Sequence, residues 1–194
     1  MTSTRPASAE DLSEVPDSSA DTLRGPNHHV SVAWGLRGAM SEVRVGVISD
    51  THGLVRREAI RALQGSDLII HAGDIGKAEV IERLREVAPT FVVRGNNDRG
   101  RWAAGLPVSQ IVEAGELLLL VLHQVSQLDR DPTVAGFAAV VSGHSHRPSI
   151  QFRDGVLYLN PGSAGPRRFT LPVAVARIDI SGRQIRPAIV ELQV

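Results

Sequence analysis

The chain predicts an α/β fold in which a parallel sheet is built first and antiparallel strand pairs follow. Three observations carry that expectation. Apolar runs at 43–48, 67–71 and 90–94 alternate with stretches of helical period at 55–64 and 77–87, and strand–helix–strand units with short joins are the pattern of a parallel sheet. After residue 108 the pattern changes to strands in pairs with turn residues between them. At 194 residues and 42% hydrophobic composition, the chain is long enough for one domain with a substantial core.

Residues 1–42 are rich in Ser, Asp, Pro and Ala and show neither period. They are read as a disordered N-terminal extension, because so little apolar surface cannot offset the entropy of ordering. The folded domain is then 43–194, with Met40 a natural place for it to start, and His28 and His29 of the extension are not assigned to any metal site.

The first strand, 43–48, alternates into a continuous hydrophobic stretch that feeds Ser49-Asp50-Thr51-His52-Gly53. The helix at 55–64 places Ala59, Ile60 and Leu63 on one face with Arg residues opposite, and Gly65 stops it. A second buried strand, 67–71, ends in Ala72-Gly73-Asp74, and the second helix, 77–87, carries Val80, Ile81, Leu84 and Val87 at core spacing. The third strand, 90–94, ends in Gly95-Asn96-Asn97-Asp98. Strands at 108–113 and 117–122 form a hairpin through Ala114-Gly115-Glu116, and the second of them ends at His123. A polar loop and a segment at 134–137 too short for a helix lead to a strand at 138–141, which ends in Gly143-His144-Ser145-His146. Strands at 149–152 and 156–159 pair around Asp154-Gly155, and Asn160-Pro161-Gly162-Ser163 follows as a turn. A last hairpin, 173–180 with 184–192, turns at Ser181-Gly182.

Composition excludes several function classes. The formal net charge is zero, so nothing in the totals calls for nucleic acid or an anionic membrane. The extension holds six acids against three Arg, leaving the rest of the chain mildly basic. There is no Cys, which removes disulfide scaffolds, zinc ribbons and thiol nucleophiles. No apolar stretch approaches a membrane span, and the N-terminus lacks a basic-then-apolar leader. A cytoplasmic protein without membrane or clear nucleic-acid partners is the expectation.

The chemistry lies at strand ends. A lone Asp-x-His such as Asp50/His52 also serves as a turn or cap. Here, however, five expected strands end in metal-competent side chains: Asp50/His52, Asp74, Asn96, His123 and His144/His146. Four of the five His after residue 42 occupy such ends, and the fifth, His71, lies within a strand as a supporting or core group. Open α/β sheets place ligands at the carboxyl ends of their strands, and N/O donors converging there suit harder transition metals. Two cations about 4 Å apart need roughly seven protein ligands with one carboxylate shared, and seven candidates are present.

The series D-x-H, G-D, G-N-x-D, strand-end His and G-H-x-H resembles the calcineurin-like metallophosphoesterase superfamily. The stretches "ISDTHG", "IIHAGDI", "VRGNND", "SGHSH" and "NPGS" are most similar to its small single-domain bacterial and archaeal phosphodiesterases. The resemblance covers about 43–168 and implies a four-layer α-β-β-α sandwich with two facing mixed β-sheets and the metals at one edge. It implies that Asp50, His52, Asp74 and His146 hold one metal and that Asp74, Asn96, His123 and His144 hold the other, with Asp74 bridging. Asp50, His52, Asp74, Asn96 and His144 would form the catalytic set. It further implies two divalent cations, Mn first with Fe, Ni or Zn as alternatives, and hydrolysis of a phosphate-ester substrate, a diester first, by a metal-generated hydroxide attacking in line.

Two departures bear on the substrate. Many relatives carry a proton-donating His directly after the Asn ligand; Asn97 stands there, the small phosphodiesterase group also lacks that His, and an amide cannot act as a general acid. The strand-end His of relatives is commonly followed by Gly, whereas Gln124 follows His123. Gly162-Ser163 and Arg167/Arg168 are either a phosphate-facing group or an ordinary surface turn. A non-catalytic scaffold of the same fold would have lost part of the ligand set. A nuclease would call for a basic groove with stacking aromatics, against 4% aromatic residues here.

Overall fold

The computed structural model describes residues 42–194 in full and, before them, the backbone of residues 28–31. Two mixed sheets face each other. One is built around three parallel strands, β2 (Glu42–Ile48), β3 (Leu68–His71) and β4 (Thr90–Val92), extended beyond β2 by β10 (Ala174–Ser181) and β11 (Gln184–Glu191), both antiparallel additions. The other runs in the order β1 (His28–Ser31), β5 (Ser109–Ala114), β6 (Leu117–Leu122), β7 (Ala139–Val141), β9 (Val156–Asn160) and β8 (Ser149–Arg153). Within it β6, β7 and β9 are parallel to one another.

Strand alternation explains the layers. Val43, Val45 and Val47 of β2 point into the space between the sheets, where they meet Leu68, Ile70, Leu119, Val121, Val141, Leu157 and Ile178 in one buried cluster. Ile48 and Ile69 point the other way and pack with Ala59 and Leu63 of α1 (Arg57–Leu63) and with Val80, Ile81 and Leu84 of α2 (Ala78–Arg85). Gly46 lies on that same face because α1 crosses it closely: a Cβ there would come within 2.7 Å of Leu63 Cδ2 and Ser66 Oγ.

The outer face of the second sheet buries Ile111, Leu120, Leu122 and Val140 against Phe137 and Leu128. That cover is the connection after β6, which contains one 3₁₀ turn at Val125–Gln127 and otherwise irregular chain. The sandwich is therefore the expected one, with its fourth layer supplied by loop because the connection is too short for a packed helix. A short helix absent from the sequence expectation, α3 (Arg101–Ala104), docks Trp102 on the helical side. The expectation of disorder over 1–42 does not hold for β1, which pairs in parallel with β5 from His28↔Ser109 to Ser31↔Val112. The other residues of 1–41, Met40 included, lie outside the described residues. No helix among the described residues is long and apolar enough to cross a membrane.

This topology positions the site. The carboxyl ends of β2, β3 and β4 in one sheet and of β6, β7 and β9 in the other all open at one edge of the sandwich.

Candidate metal centre

Three of the loops leaving that edge, those after β2, β3 and β7, turn sharply, and their turning residues carry chemistry. Asp50, His52, Asp74, His144 and His146 all have positive φ, between 46° and 68°, and they are five of the seven non-glycine residues in that region among the described residues. Asp and His tolerate the left-handed region better than bulkier residues, yet each still costs on the order of 1 kcal/mol. Such concentrated strain is what a fold carries where side chains must converge. The neighbouring glycines are needed for space: a Cβ on Gly95 would collide with Asp74, one on Gly143 with Ser49, and one on Gly73 with the His123 ring.

Two clusters result. In the first, His146 Nε2 lies 3.2 Å from Asp50 Oδ1 and 3.5 Å from His52 Nε2, the two rings stacked at 5.3 Å. In the second, His123 Nε2 lies 3.0 Å from Asn96 Oδ1 and 3.5 Å from Asp74 Oδ1. Asp74 is shared, since its Oδ2 lies 3.9 Å from His52 Nε2. The buried oxygens of Asp50 also come within reach of the second cluster. However, Asp50 Oδ2 already accepts hydrogen bonds from Ser49 Oγ at 2.6 Å and from the His144 backbone N–H at 3.0 Å. That leaves Asp50 one free oxygen, whereas Asp74 turns one oxygen to each cluster. His144 is exposed, its ring edge-on to that of His123 at 5.3 Å. All seven candidates thus gather at one edge, Asn96 and His144 on its open side.

The donor set fits cations. Asp50 Oδ1, wholly buried, has no hydrogen-bond partner, an arrangement that is costly unless something positive sits there. His123 Nδ1 is 2.7 Å from the Ala72 carbonyl. A carbonyl only accepts, so Nδ1–H donates, and in the neutral ring the lone pair lies on Nε2, facing into the cluster.

Electrostatics tell the same story. Burial pushes the Asp50 carboxyl up to about 6, against the Ser49 hydroxyl and the charge of His123. Burial would also raise Asp74, but hydrogen bonds from His123 and Asn97 outweigh it and hold that carboxyl well below the usual range. His123 is raised: its burial opposes charge, and the bonds to Asp74 and Ala72 overcome it. His146 is lowered to about 4 by burial, then by the Arg168 and His52 charges, and His52 is lowered by burial and Arg168 in spite of Asp74. Cations binding at His123 must displace the proton that Asp74 favours there.

The Asp50 strain gives a prediction. A folded-state value raised from 3.8 to about 6 means the metal-free fold binds this proton more tightly than the unfolded chain does. The fold therefore loses stability as pH rises through that interval. Asp50→Asn should escape the loss, with the amide N–H₂ free to donate to His146. We expect the metal-free variant to gain about 2–3 kcal/mol over wild type at pH 8, roughly 5–10 °C in Tm, with the gap opening between pH 4 and 6. Thermal melts across that range check it, and a variant no more stable at pH 8 would contradict it.

The groups that hold the site loops in place are now visible, with His71 in the supporting role expected of it. Thr51 Oγ1 donates to the Ile75 carbonyl and accepts from His71 Nε2 at 2.9 Å, while His71 Nδ1 accepts from the Gly73 N–H. His71, lowered to about 3 by complete burial, is thus a neutral tie between the first two site loops. Asn160, at the end of β9, donates to the Gly143 carbonyl at 2.6 Å, and Ser163 Oγ donates to the Asp50 carbonyl. The local signal was the N-P-G-S turn; the parallel pairing of β9 with β7 that brings it to this edge has no local signal. Asp98 accepts from the backbone N–H groups of Gly76 and Gly95, both at 2.8 Å, locking two loops together. Of the arginine pair, Arg167 donates to the Val194 carbonyl, while the charge of Arg168 reaches His52 and His146.

Comparison with known proteins agrees with this geometry. The calcineurin-like phosphoesterase superfamily domain matches residues 43–183. The chain is 34% identical over 148 residues to a "probable metallophosphoesterase" of Methanothermobacter thermautotrophicus, spanning 70% of this chain and 86% of that one. It is 24% identical over 167 residues to a phosphodiesterase of Methanocaldococcus jannaschii, spanning 77% of this chain and all of the other. Among solved structures, a Streptococcus pneumoniae protein described as a predicted phosphoesterase superposes with a TM-score of 0.62 at 26% identity, covering 78% and 91% of the two chains. Strand ends that gather Asp, Asn and His at one edge, and a family match from β2 through β10, place this chain in the calcineurin-like metallophosphoesterase superfamily.

Proposed function

We propose that the protein is a phosphodiesterase with a dinuclear metal centre, held by Asp50, His52, Asp74 and His146 on one side and by Asp74, Asn96, His123 and His144 on the other. The observation that carries this reading is the placement of Asp74, with one carboxylate oxygen toward His52 and the other toward His123. When bound, the cations would supply Lewis-acid charge to phosphoryl oxygens and acidify a water nucleophile; Mn is our first choice among Mn, Fe, Ni and Zn.

The residues of the chain do the rest. Ser49 and the His144 N–H fix the Asp50 carboxylate, and Ala72 fixes the tautomer of His123. Asn97 donates from its backbone to Asp74 Oδ1 and from Nδ2 to Asp74 Oδ2, so it orients the shared carboxylate and offers no acidic proton to a leaving group. That supports diesters with good leaving groups, as does the phosphodiesterase name of one relative. An intact set of seven donors supports an enzyme over a scaffold.

The test is hydrolysis of bis(4-nitrophenyl) phosphate and 4-nitrophenyl phosphate by protein stripped with chelator and reloaded with each cation. We expect at least about tenfold higher kcat/KM for the diester, a difference near 1.4 kcal/mol in barrier. Preference for the monoester would overturn the diesterase assignment, and inactivity with every cation would overturn the enzyme.

A further inference from the structure

A cleft of about 320 Å³ runs from His144 along the outer face of β9 and β8. Its size is at the low end of small-molecule sites, about 300–1,000 Å³. Gln124, the residue standing where relatives carry Gly, forms one wall and donates to Asn96 Oδ1, so the cleft opens beside the metal centre. Ser145, Ser149 and Gln151 line it with hydroxyl and amide groups. Arg153 closes the far end, and it is the only formally charged residue in a lining that holds no carboxylate.

Arg153 is held in place without being neutralised. Its guanidinium stacks over the Tyr158 ring at 4.9 Å, and Nη2 donates to Gln151 Oε1 at 2.6 Å. Both partners are uncharged, and among the described residues no carboxylate lies within ion-pair distance of it. A pre-oriented guanidinium with most of its donors unused is suited to bidentate capture of a phosphate.

We infer that this cleft is a substrate subsite, in which one ester arm of the diester lies between His144 and Arg153 and bears a second phosphate that Arg153 binds. The inference rests on the phosphodiesterase reading and narrows its substrates to diesters with a phosphorylated, nucleotide-sized arm.

Two chromogenic diesters isolate the arginine: thymidine 5′-(4-nitrophenyl phosphate) and the same compound phosphorylated at the 3′ oxygen. In each, water adds to the 5′ phosphorus and 4-nitrophenolate leaves, so only the distal phosphate differs. Wild type should favour the phosphorylated ester by about tenfold or more in kcat/KM, chiefly through KM. Arg153→Met should abolish that advantage while leaving bis(4-nitrophenyl) phosphate hydrolysis unchanged, which also shows that the variant is folded. Equal rates for the two esters in wild type, or an advantage that survives in Arg153→Met, would overturn the inference. Calorimetric binding of thymidine 3′,5′-bisphosphate against thymidine 5′-monophosphate gives a second readout that needs no turnover. Tighter binding of the bisphosphate by wild type alone supports the subsite even if every diester proves inert, an outcome that would refute only the catalytic reading.

Discussion

Asp74→Ala is expected to lose both cations and to lower kcat/KM by about three orders of magnitude or more, since several kcal/mol of transition-state charge stabilisation go with them. Asp74 is 1% exposed, and its two oxygens face His52 and His123 respectively. Without it each cluster keeps its histidines but loses the anion between them. His146→Ala removes a donor from the first cluster only and should mainly empty that one. Because Asp74 sits at φ 54°, Ala there adds backbone strain, so Asp74→Asn is the matched control: Asn tolerates that conformation and keeps the shape. Elemental analysis of the purified variants decides. Two ions at wild-type occupancy in Asp74→Ala would rule out the bridging role.

The second large effect concerns the leaving group. With Asn97 in place of a proton-donating His, the departing oxygen must carry its charge with the help of the cations or solvent alone. The logarithm of kcat/KM should therefore fall steeply as leaving-group pKa rises across a series of aryl diesters, and simple alkyl monoesters should be poor substrates. Asp98, adjacent in sequence, turns its carboxylate to the backbone, one oxygen accepting from Gly76 N–H and the other from Gly95 N–H. Asn97→His should flatten the dependence. A flat dependence in wild type would mean that a proton is supplied, and the reading of Asn97 would be wrong.

How much of this was legible in the chain depends on the range of the interaction. The three parallel strands and two helices show in local period, because β2 alternates into a buried run, β3 is buried throughout, and α2 repeats Val80, Ile81 and Leu84 on one side. The Asp154-Gly155 hairpin shows in two residues that both take positive φ. The four residues of β1 do not show, because they gain order only from pairing with β5, some 80 residues onward. The seven candidate residues were legible because strand ends are local and metal donors are few in kind. What supports them was less so: His71 was expected to support the site, but its partner Thr51, like the bonds of Asn160 to Gly143 and Asp98 to Gly76, is a contact across loops. The Arg153 cleft is likewise assembled from β8, β9 and the loop after β6, with no spacing that a linear reading could detect.

The central claim is a pair of cations acting together at this edge. Its most direct test is to titrate chelator-stripped protein with Mn²⁺ while following bis(4-nitrophenyl) phosphate hydrolysis and bound metal in the same samples. Activity rising only as the second equivalent binds, and levelling at two ions per chain, is the predicted result. Full activity at one ion per chain would contradict it.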